Sequence, residues 1–145
     1  MYNKFLKYIQ NINLLAPSGP PRNISVIAKS SSSLSASWIE PEKDKQNGVI
    51  TNYTVCISKD KDGHCSQILT TVDRDFTIIN LDNFTKYFVR VLASTKAGNG
   101  NFSESKAKFT NASKLVLKIK ILICMYRQFD SIQSHKIQKG DGLLL

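Results

Sequence analysis

The chain is poor in the residues that catalysis usually needs. Its 145 residues include only two histidines, His64 in a predicted turn and His135 near the end. No motif ties either histidine to a nucleophile or a carboxylate. The glycine-rich segment 96–100 lies between two predicted strands, without a following helix that would present a phosphate site. We therefore predict no enzyme, no cofactor and no small-molecule substrate.

Cysteine is also scarce, and the three examples are Cys56, Cys65 and Cys124. No metal site is predicted beside His64, because a fourth ligand and the paired spacing of a zinc site are missing. Cys56 and Cys65 lie symmetrically about a predicted reversal at residues 60–61. In a regular hairpin their Cβ atoms oppose each other on the outward face, within reach of a disulfide. Two free cysteines, as in a cytosolic protein, are the alternative.

The chain has no hydrophobic run that is long enough to span a membrane. The apolar stretch 115–126 covers twelve positions and includes two lysines, whereas a spanning helix needs about twenty apolar residues. An extra strand, docking on a sheet edge and aggregation are the three outcomes that we consider for this stretch. Residues 1–7 carry the early positive charge of a signal peptide, but Gln10, Asn11 and Asn13 interrupt the apolar segment that should follow. Neither a membrane span nor a clean signal peptide is predicted.

The positive net charge of +9 does not predict nucleic-acid binding. Residues 17–110 hold 12 Lys and Arg against 9 Asp and Glu, while residues 111–145 hold six against two. A nucleic-acid-binding protein concentrates its cations on the folded surface. Here two thirds of the surplus lies in the flanks, so no nucleic-acid partner is predicted.

What the chain does contain is a series of short segments with alternating hydrophobicity. A period of two buries one face of a strand and leaves the other in water, which is typical of antiparallel sheet. Turn residues separate the segments. The pattern predicts an all-β, seven-stranded antiparallel β-sandwich with poorly ordered flanks. The inward positions, in chain order, are Ile24, Val26 and Ala28; Leu34, Ala36 and Trp38; Tyr53, Val55 and Ile57; a fourth segment near 67–71; Phe76 and Ile78; Tyr87, Val89, Val91 and Ala93; and Ala107 and Phe109.

One group of large side chains is predicted to meet in a single core. Its members are Trp38, Tyr53, Val55, Leu81, Tyr87, Val89 and Val91. The spacing from Leu81 to Tyr87 resembles the tyrosine corner of β-sandwiches, in which the tyrosine hydroxyl bonds to backbone a few residues upstream.

Five motifs in order resemble a fibronectin type III domain over residues 17–110. They are Pro20-Pro21, Leu34-x-Ala36-x-Trp38-x-x-Pro41, Asn47-Gly48-x-Ile50-x-x-Tyr53-x-Val55, Leu81-x-x-x-Thr85-x-Tyr87 and Ala93-x-x-x-Ala97-Gly98-x-Gly100-x-x-Ser103. The resemblance implies an immunoglobulin-like sandwich. An immunoglobulin domain itself is disfavoured, because its second and sixth strands would carry a cysteine pair.

The sequence departs from the family pattern at two places. Asn83 and Phe84 occupy the positions that usually hold Pro and Gly, which predicts a looser turn. The loop 95–101 lacks Arg-Gly-Asp, so the integrin binding of some family members is not implied.

Asn-x-Ser/Thr sequences occur five times and indicate glycosylation in the secretory pathway. Asn52 is the weakest candidate because it abuts a strand entrance, which leaves Asn23, Asn83, Asn101 and Asn111. Incidental matches in a chain rich in Asn and Ser are the alternative.

The resemblance implies a non-catalytic interaction or spacer module, extracellular or at the cell surface, of the kind found in adhesion molecules and receptor-type tyrosine phosphatases. We expect residues 17–110 to form this module within a larger adhesion protein or receptor. Residues 1–16 and 111–145 are then flanks that are not folded with it. Partners are other proteins, including neighbouring modules, and membrane attachment occurs only through the parent protein. An intracellular module of the muscle-filament type and a complete small secreted binding protein are the alternatives.

Overall fold

The structure is a computed structural model that describes residues 15–61 and 63–140, with backbone only for 133–140. The possible signal sequence and most of the predicted flank 1–16 therefore lie outside the described residues. The chain divides into two compact units, one ending at Asn111 and the other beginning at Ala112.

The first unit is a sandwich of two antiparallel sheets, which confirms the predicted fold class. One sheet has the strand order β1–β2–β5, and the other has the order β4–β3–β6–β7, with β8 also paired to β6. The strands number eight because residues Gly98–Asn99, in the predicted hairpin before the last strand, form the additional short strand β7. The elements are β1 (Arg22–Ala28), β2 (Leu34–Ile39), a 3₁₀ turn (Lys43–Lys45), β3 (Asn52–Ser58), β4 (Gln67–Thr71), β5 (Asp75–Ile78), β6 (Lys86–Thr95), β7 (Gly98–Asn99), β8 (Lys106–Phe109) and α1 (Lys114–Gly140).

Strand register explains how the core forms between the sheets. In the central pair β3–β6, Val55 lies opposite Val91 and Ile57 lies opposite Val89. Directly opposed residues point to the same side of a sheet, so these side chains face inward together, and all four are buried. The same alternation in β1, β2 and β5 supplies the other half of the core.

The last strand faces the opposite way from the sequence prediction. Phe109 lies opposite Lys86, and Ala107 lies opposite Phe88. Lys86 and Phe88 flank the buried Tyr87, so Ala107 and Phe109 point outward and the prediction that they face inward is wrong. All four residues of β8 are exposed. A Lys-Ala-Lys-Phe edge strand has no strong apolar alternation, and its pairing with β6 sets its register instead.

The N-terminal end of the sandwich is closed by backbone contacts from the preceding segment. Thr95 Oγ1 donates to the Leu15 carbonyl at 3.0 Å, and Asn47 Nδ2 donates to the Ala16 carbonyl at 2.9 Å. Gly100 permits this close approach, because a Cβ at its position would lie 2.8 Å from the Pro17 carbonyl oxygen. Leu15 and Ala16, predicted to be flank, thus bond to the domain.

The second unit contains α1, where the sequence suggested an extra strand, edge docking or aggregation. Ser113 caps the helix, since its Oγ accepts a hydrogen bond from the Val116 amide at 3.3 Å. No Gly or Pro interrupts residues 114–139, so nothing breaks the backbone hydrogen bonding. Among the described residues, no helix combines the length and the apolar character that crossing a bilayer requires.

Candidate interaction surface

The predicted core residues lie inside the sandwich and are not available to a ligand. The buried set includes Trp38, Tyr53, Val55, Leu81, Tyr87, Val89 and Val91. The Trp38 and Tyr53 rings meet edge to face with centroids 5.5 Å apart, an arrangement that aromatic pairs prefer. These side chains hold the two sheets together, so any recognition site lies on the outer faces or loops.

A hydrogen-bonded corner ties the β5–β6 loop to β6. The Tyr87 hydroxyl accepts a hydrogen bond from the Asp82 amide at 3.0 Å and donates to Asp82 Oδ2 at 3.3 Å. Lys59 Nζ lies 2.7 Å from the same carboxylate oxygen. The hydrogen bond from Lys59, with a smaller one from Tyr87, lowers the pKa of the Asp82 carboxyl, and the pKa of Lys59 is raised in return.

In the same loop, Phe84 has a left-handed backbone conformation at the position where the fibronectin type III pattern usually has glycine. Phe84 has a φ of 47°, a conformation that costs a non-glycine residue roughly 1–2 kcal/mol. Its amide donates to the Asn111 carbonyl at 3.2 Å, and its ring packs on Phe109 with centroids 5.9 Å apart. The turn therefore retains its hydrogen bonding, at the expense of a strained backbone at Phe84.

The two cysteines of the β3–β4 hairpin are joined as a disulfide in the structure, with Cα atoms 5.3 Å apart. The hairpin is not the regular one that the sequence suggested, because Cys56 lies opposite Ile68 in the ladder. Cys65 precedes β4 and folds back over β3. Cys56 points to the outer face, yet it is fully buried.

The described residues of the β3–β4 loop, 59–61 and 63–66, lie across the outer face of the five-stranded sheet. Arg90 Nη2 donates to the Gly63 carbonyl at 3.0 Å, and Ser105 Oγ donates to the Lys61 carbonyl at 2.8 Å. Arg90 also places its guanidinium over the Phe102 ring, 4.9 Å from the centroid. Besides the disulfide, the loop is held by these two hydrogen bonds, to β6 and to the residues before β8, and by the ion pair of Lys59 with Asp82.

Below this loop, three aromatic rings and one lysine form what we term the aromatic–basic patch: Phe84, Lys86, Phe88 and Phe109. Lys86 Nζ lies 5.1 Å from the centroid of the Phe88 ring, a cation–π distance. Phe84 and Phe109 are about half exposed, at 50% and 49%. Single apolar side chains at a surface are ordinary, but clustered ones mark interaction sites.

The outer face of the three-stranded sheet is different in character. Its opposed pairs include Ser25 with Ser37 and Ser35 with Thr77, beside the half-exposed Ile27 and Ile39. No aromatic side chain lies on this face of β1, β2 or β5, and aromatic and arginine side chains dominate binding energies. The five-stranded sheet therefore offers the better interaction surface.

The four candidate glycosylation sites are exposed in the structure: Asn23, Asn83, Asn101 and Asn111. Asn23 sits at a register shift in β1 with a φ of 51°. Asn52 is only partly exposed and belongs to β3, which is paired on both sides. Within the described part of the chain, no group of three metal-binding side chains comes together.

Comparison with known proteins gives the family. A family model for the Fibronectin type III domain matches residues 19–108, and the chain belongs to that family. It is 36% identical over 91 residues to the cell adhesion molecule DSCAM of Homo sapiens, which covers 61% of this chain and 4% of DSCAM. It is 35% identical over 88 residues to the tyrosine-protein phosphatase Lar of Drosophila melanogaster, covering 61% of this chain and 4% of Lar. The chain thus spans only a small part of these relatives.

Solved structures agree with this assignment. Domains A168–A170 of titin are 30% identical with a TM-score of 0.56, over 66% of this chain and 33% of theirs. The fn3 domain of human contactin 1 is 26% identical with a TM-score of 0.59, over 69% and 83%. The resemblance inferred from the five sequence motifs is therefore confirmed.

Sequence reasoning missed the parts of the surface that depend on contacts between distant segments. Arg90 and Phe102 carried no signal as a pair, because they come together through the pairing of the next residues, in which the Ser103 amide donates to the Val91 carbonyl. The alternation of Lys86, Phe88 and Arg90 with buried residues did mark their side chains as outward-facing, and that pattern was available in the sequence.

Proposed function

We propose that the fibronectin type III domain is a non-catalytic protein-interaction or spacer module of an extracellular or cell-surface protein. The observation that carries this proposal is the similarity to DSCAM, a cell adhesion molecule, at 36% identity over the whole domain. The similarity to the phosphatase Lar at 35% points to the same class of parent protein. Neighbouring modules of the same family and other proteins are then its partners.

Two features of the surface support an extracellular setting. A disulfide between Cys56 and Cys65 persists in oxidising compartments and is rare in the cytosol. The four exposed Asn-x-Ser/Thr sites leave room for glycans without disturbing the core. Oxidation of this cysteine pair and glycosylation of these sites are both part of the proposal.

An intracellular module of the muscle-filament type is the second candidate, and the 30% identity to titin domains favours it. In that setting the cysteines are reduced and the Asn-x-Ser/Thr sites are unmodified. The two candidates therefore differ in observable covalent chemistry.

The experiment uses the natural protein in its source tissue, detected with antibodies raised against residues 17–110. We expect surface biotinylation of intact cells to label it and glycosidase treatment to increase its gel mobility. Alkylation under denaturing conditions should leave Cys56 and Cys65 unmodified until a reductant is added. An unlabelled, unshifted protein with both cysteines alkylated at once would instead establish the intracellular candidate.

A further inference from the structure

The aromatic–basic patch lies in a region with a surplus of cations. Residues 86–109 contain five Lys and Arg against one acidic residue, Glu104. Lys106 and Lys108 have no carboxylate partner among the described residues. By contrast, Glu42 near the other end of the sandwich pairs with both Arg22 and Lys45. Residues 17–85 hold seven Lys and Arg against eight Asp and Glu, so the net positive charge of the domain comes from the segment that carries Phe88 and Phe109.

The cations and the rings are interleaved by the strand register. Lys86 lies opposite Phe109 on the outer face, and Lys108 is next to Phe109 along β8. Adjacent strand residues point to opposite sides, so Lys108 faces away from the rings, and the second cation of the outer face is Arg90. Phe88 lies between Lys86 and Arg90 along β6 on this face. A ligand lying on Phe88 therefore has a cation within reach on either side.

We propose that the aromatic–basic patch binds an acidic segment of another protein, one in which carboxylates alternate with apolar side chains. The apolar side chains cover Phe88 and Phe109, while the carboxylates pair with Lys86 and Arg90. Complementary charge of this kind sets specificity and speeds association, and the buried rings supply contact area. This inference rests on the proposed interaction function and names the surface and the chemistry of its partner.

Other occupants fit the observed charge less well. A second copy of the patch would oppose like charges. A sulfated polysaccharide would pair with the cations, but it has no apolar side chains to pack against the phenylalanine rings.

The test measures binding of the full chain to a short fluorescein-labelled peptide of alternating Glu and Tyr, followed by fluorescence anisotropy. Matched peptides replace every Glu by Gln or by Lys, and heparin fragments serve as the polysaccharide probe. The variants are Lys86→Glu and Phe109→Ala. Their controls are Lys96→Glu, an exposed lysine beyond the other end of β6, and Ile27→Ala, which at 50% exposure matches Phe109 on the opposite sheet.

We expect the Glu-Tyr peptide to bind the wild-type chain and the Lys-Tyr peptide not to bind. Lys86→Glu should weaken binding about fivefold, the size expected for reversing one exposed ion pair. Phe109→Ala should weaken it about tenfold through lost apolar contact. The two controls should bind as wild type, and unchanged Trp38 fluorescence shows that each variant is folded.

The proposal would be overturned if a patch variant and its control lost the same affinity for the Glu-Tyr peptide. It would also be overturned if the chain bound heparin but not the acidic peptide. Failure of the peptide to bind at all would also remove the patch as a site. Surface labelling and glycosylation of the natural protein are measured independently, so the proposed function would survive that failure.

Discussion

The hydroxyl of Tyr87 accepts a hydrogen bond from the backbone amide of Asp82, five residues upstream, at a distance of 3.0 Å. This bond spans the turn between β5 and β6 and satisfies an amide that the loop leaves without a strand partner. The Asp82 carbonyl in turn accepts a bond from Thr110 Oγ1 at 2.7 Å. The corner thereby connects the start of β6 with the end of β8.

Removing the hydroxyl should destabilise the domain while leaving the ring in place. We expect Tyr87→Phe to lower the free energy of unfolding by about 1–3 kcal/mol, because the Asp82 amide loses its partner. Urea denaturation monitored by Trp38 fluorescence measures the change. Tyr53→Phe is the matched control, since Tyr53 is equally buried but its hydroxyl makes no hydrogen bond within the described residues. An equal loss in both variants would contradict the role of the corner.

The ion pair between Asp82 and Lys59 should make stability depend on pH. The pKa of Asp82 is lowered by folding, so its contribution is present above the ordinary value of 3.8 and is lost as the pH falls through the folded-state pKa. The pKa of Lys59 is raised, so its contribution is present below 10.5 and is lost as the pH rises through the folded-state pKa.

Asp82→Asn tests the acidic limb directly. We expect its urea midpoint to lie below that of wild type near neutral pH and the difference to close as the carboxyl of the wild type becomes protonated. Asp75→Asn, which alters an exposed carboxylate without an ion pair in the described part of the chain, should show no such convergence. A constant gap at all pH values would argue against the pairing with Lys59.

Phe84 offers a test of backbone strain in the β5–β6 loop. Substitution by either Gly or Ala removes the ring contact with Phe109, but only Gly relieves the positive φ. We therefore expect Phe84→Gly to be more stable than Phe84→Ala by about 1 kcal/mol. Chemical denaturation of the two variants gives the comparison. Equal free energies of unfolding for the alanine and glycine variants would show that the backbone at position 84 is not left-handed.

The disulfide should stabilise the domain by closing a short loop, since Cys56 and Cys65 are nine positions apart in the sequence. In the chain-entropy model such a loop is worth about 2–3 kcal/mol. We expect a reductant to lower the urea midpoint of a Cys124→Ser variant, which removes the exposed third thiol. The triple variant that also replaces Cys56 and Cys65 by Ala should already be at the lower midpoint and should not respond to reductant.

Local pattern was sufficient to predict the strands that build the core. Trp38, Val55 and Val91 each sit in a segment where every second residue is apolar, and a sheet that buries one face admits a single register for such a segment. The corner was predictable for the same reason, because Leu81 and Tyr87 stand at a fixed spacing around a turn.

Pattern failed where the contact that decides the structure comes from far along the chain. Phe109 belongs to an edge strand whose alternation is weak, so its direction is set by pairing with β6. Cys65 was expected opposite Cys56 in a regular hairpin, but the loop instead crosses the sheet and bonds to Arg90. The run Leu115–Tyr126 alternates like a strand over part of its length, yet a capped, uninterrupted backbone forms a helix.

The amino-acid sequence alone determined which residues of the central strands face the core and hence that two sheets must face each other, because hydrophobic burial follows side-chain periodicity where that periodicity is strong. Only the tertiary structure decided what covers the outer face, since the hydrogen bonds from Arg90 to Gly63 and from Ser105 to Lys61 join segments that are far apart in the chain and that no local pattern connects. The surface available to a partner is a product of those long-range contacts.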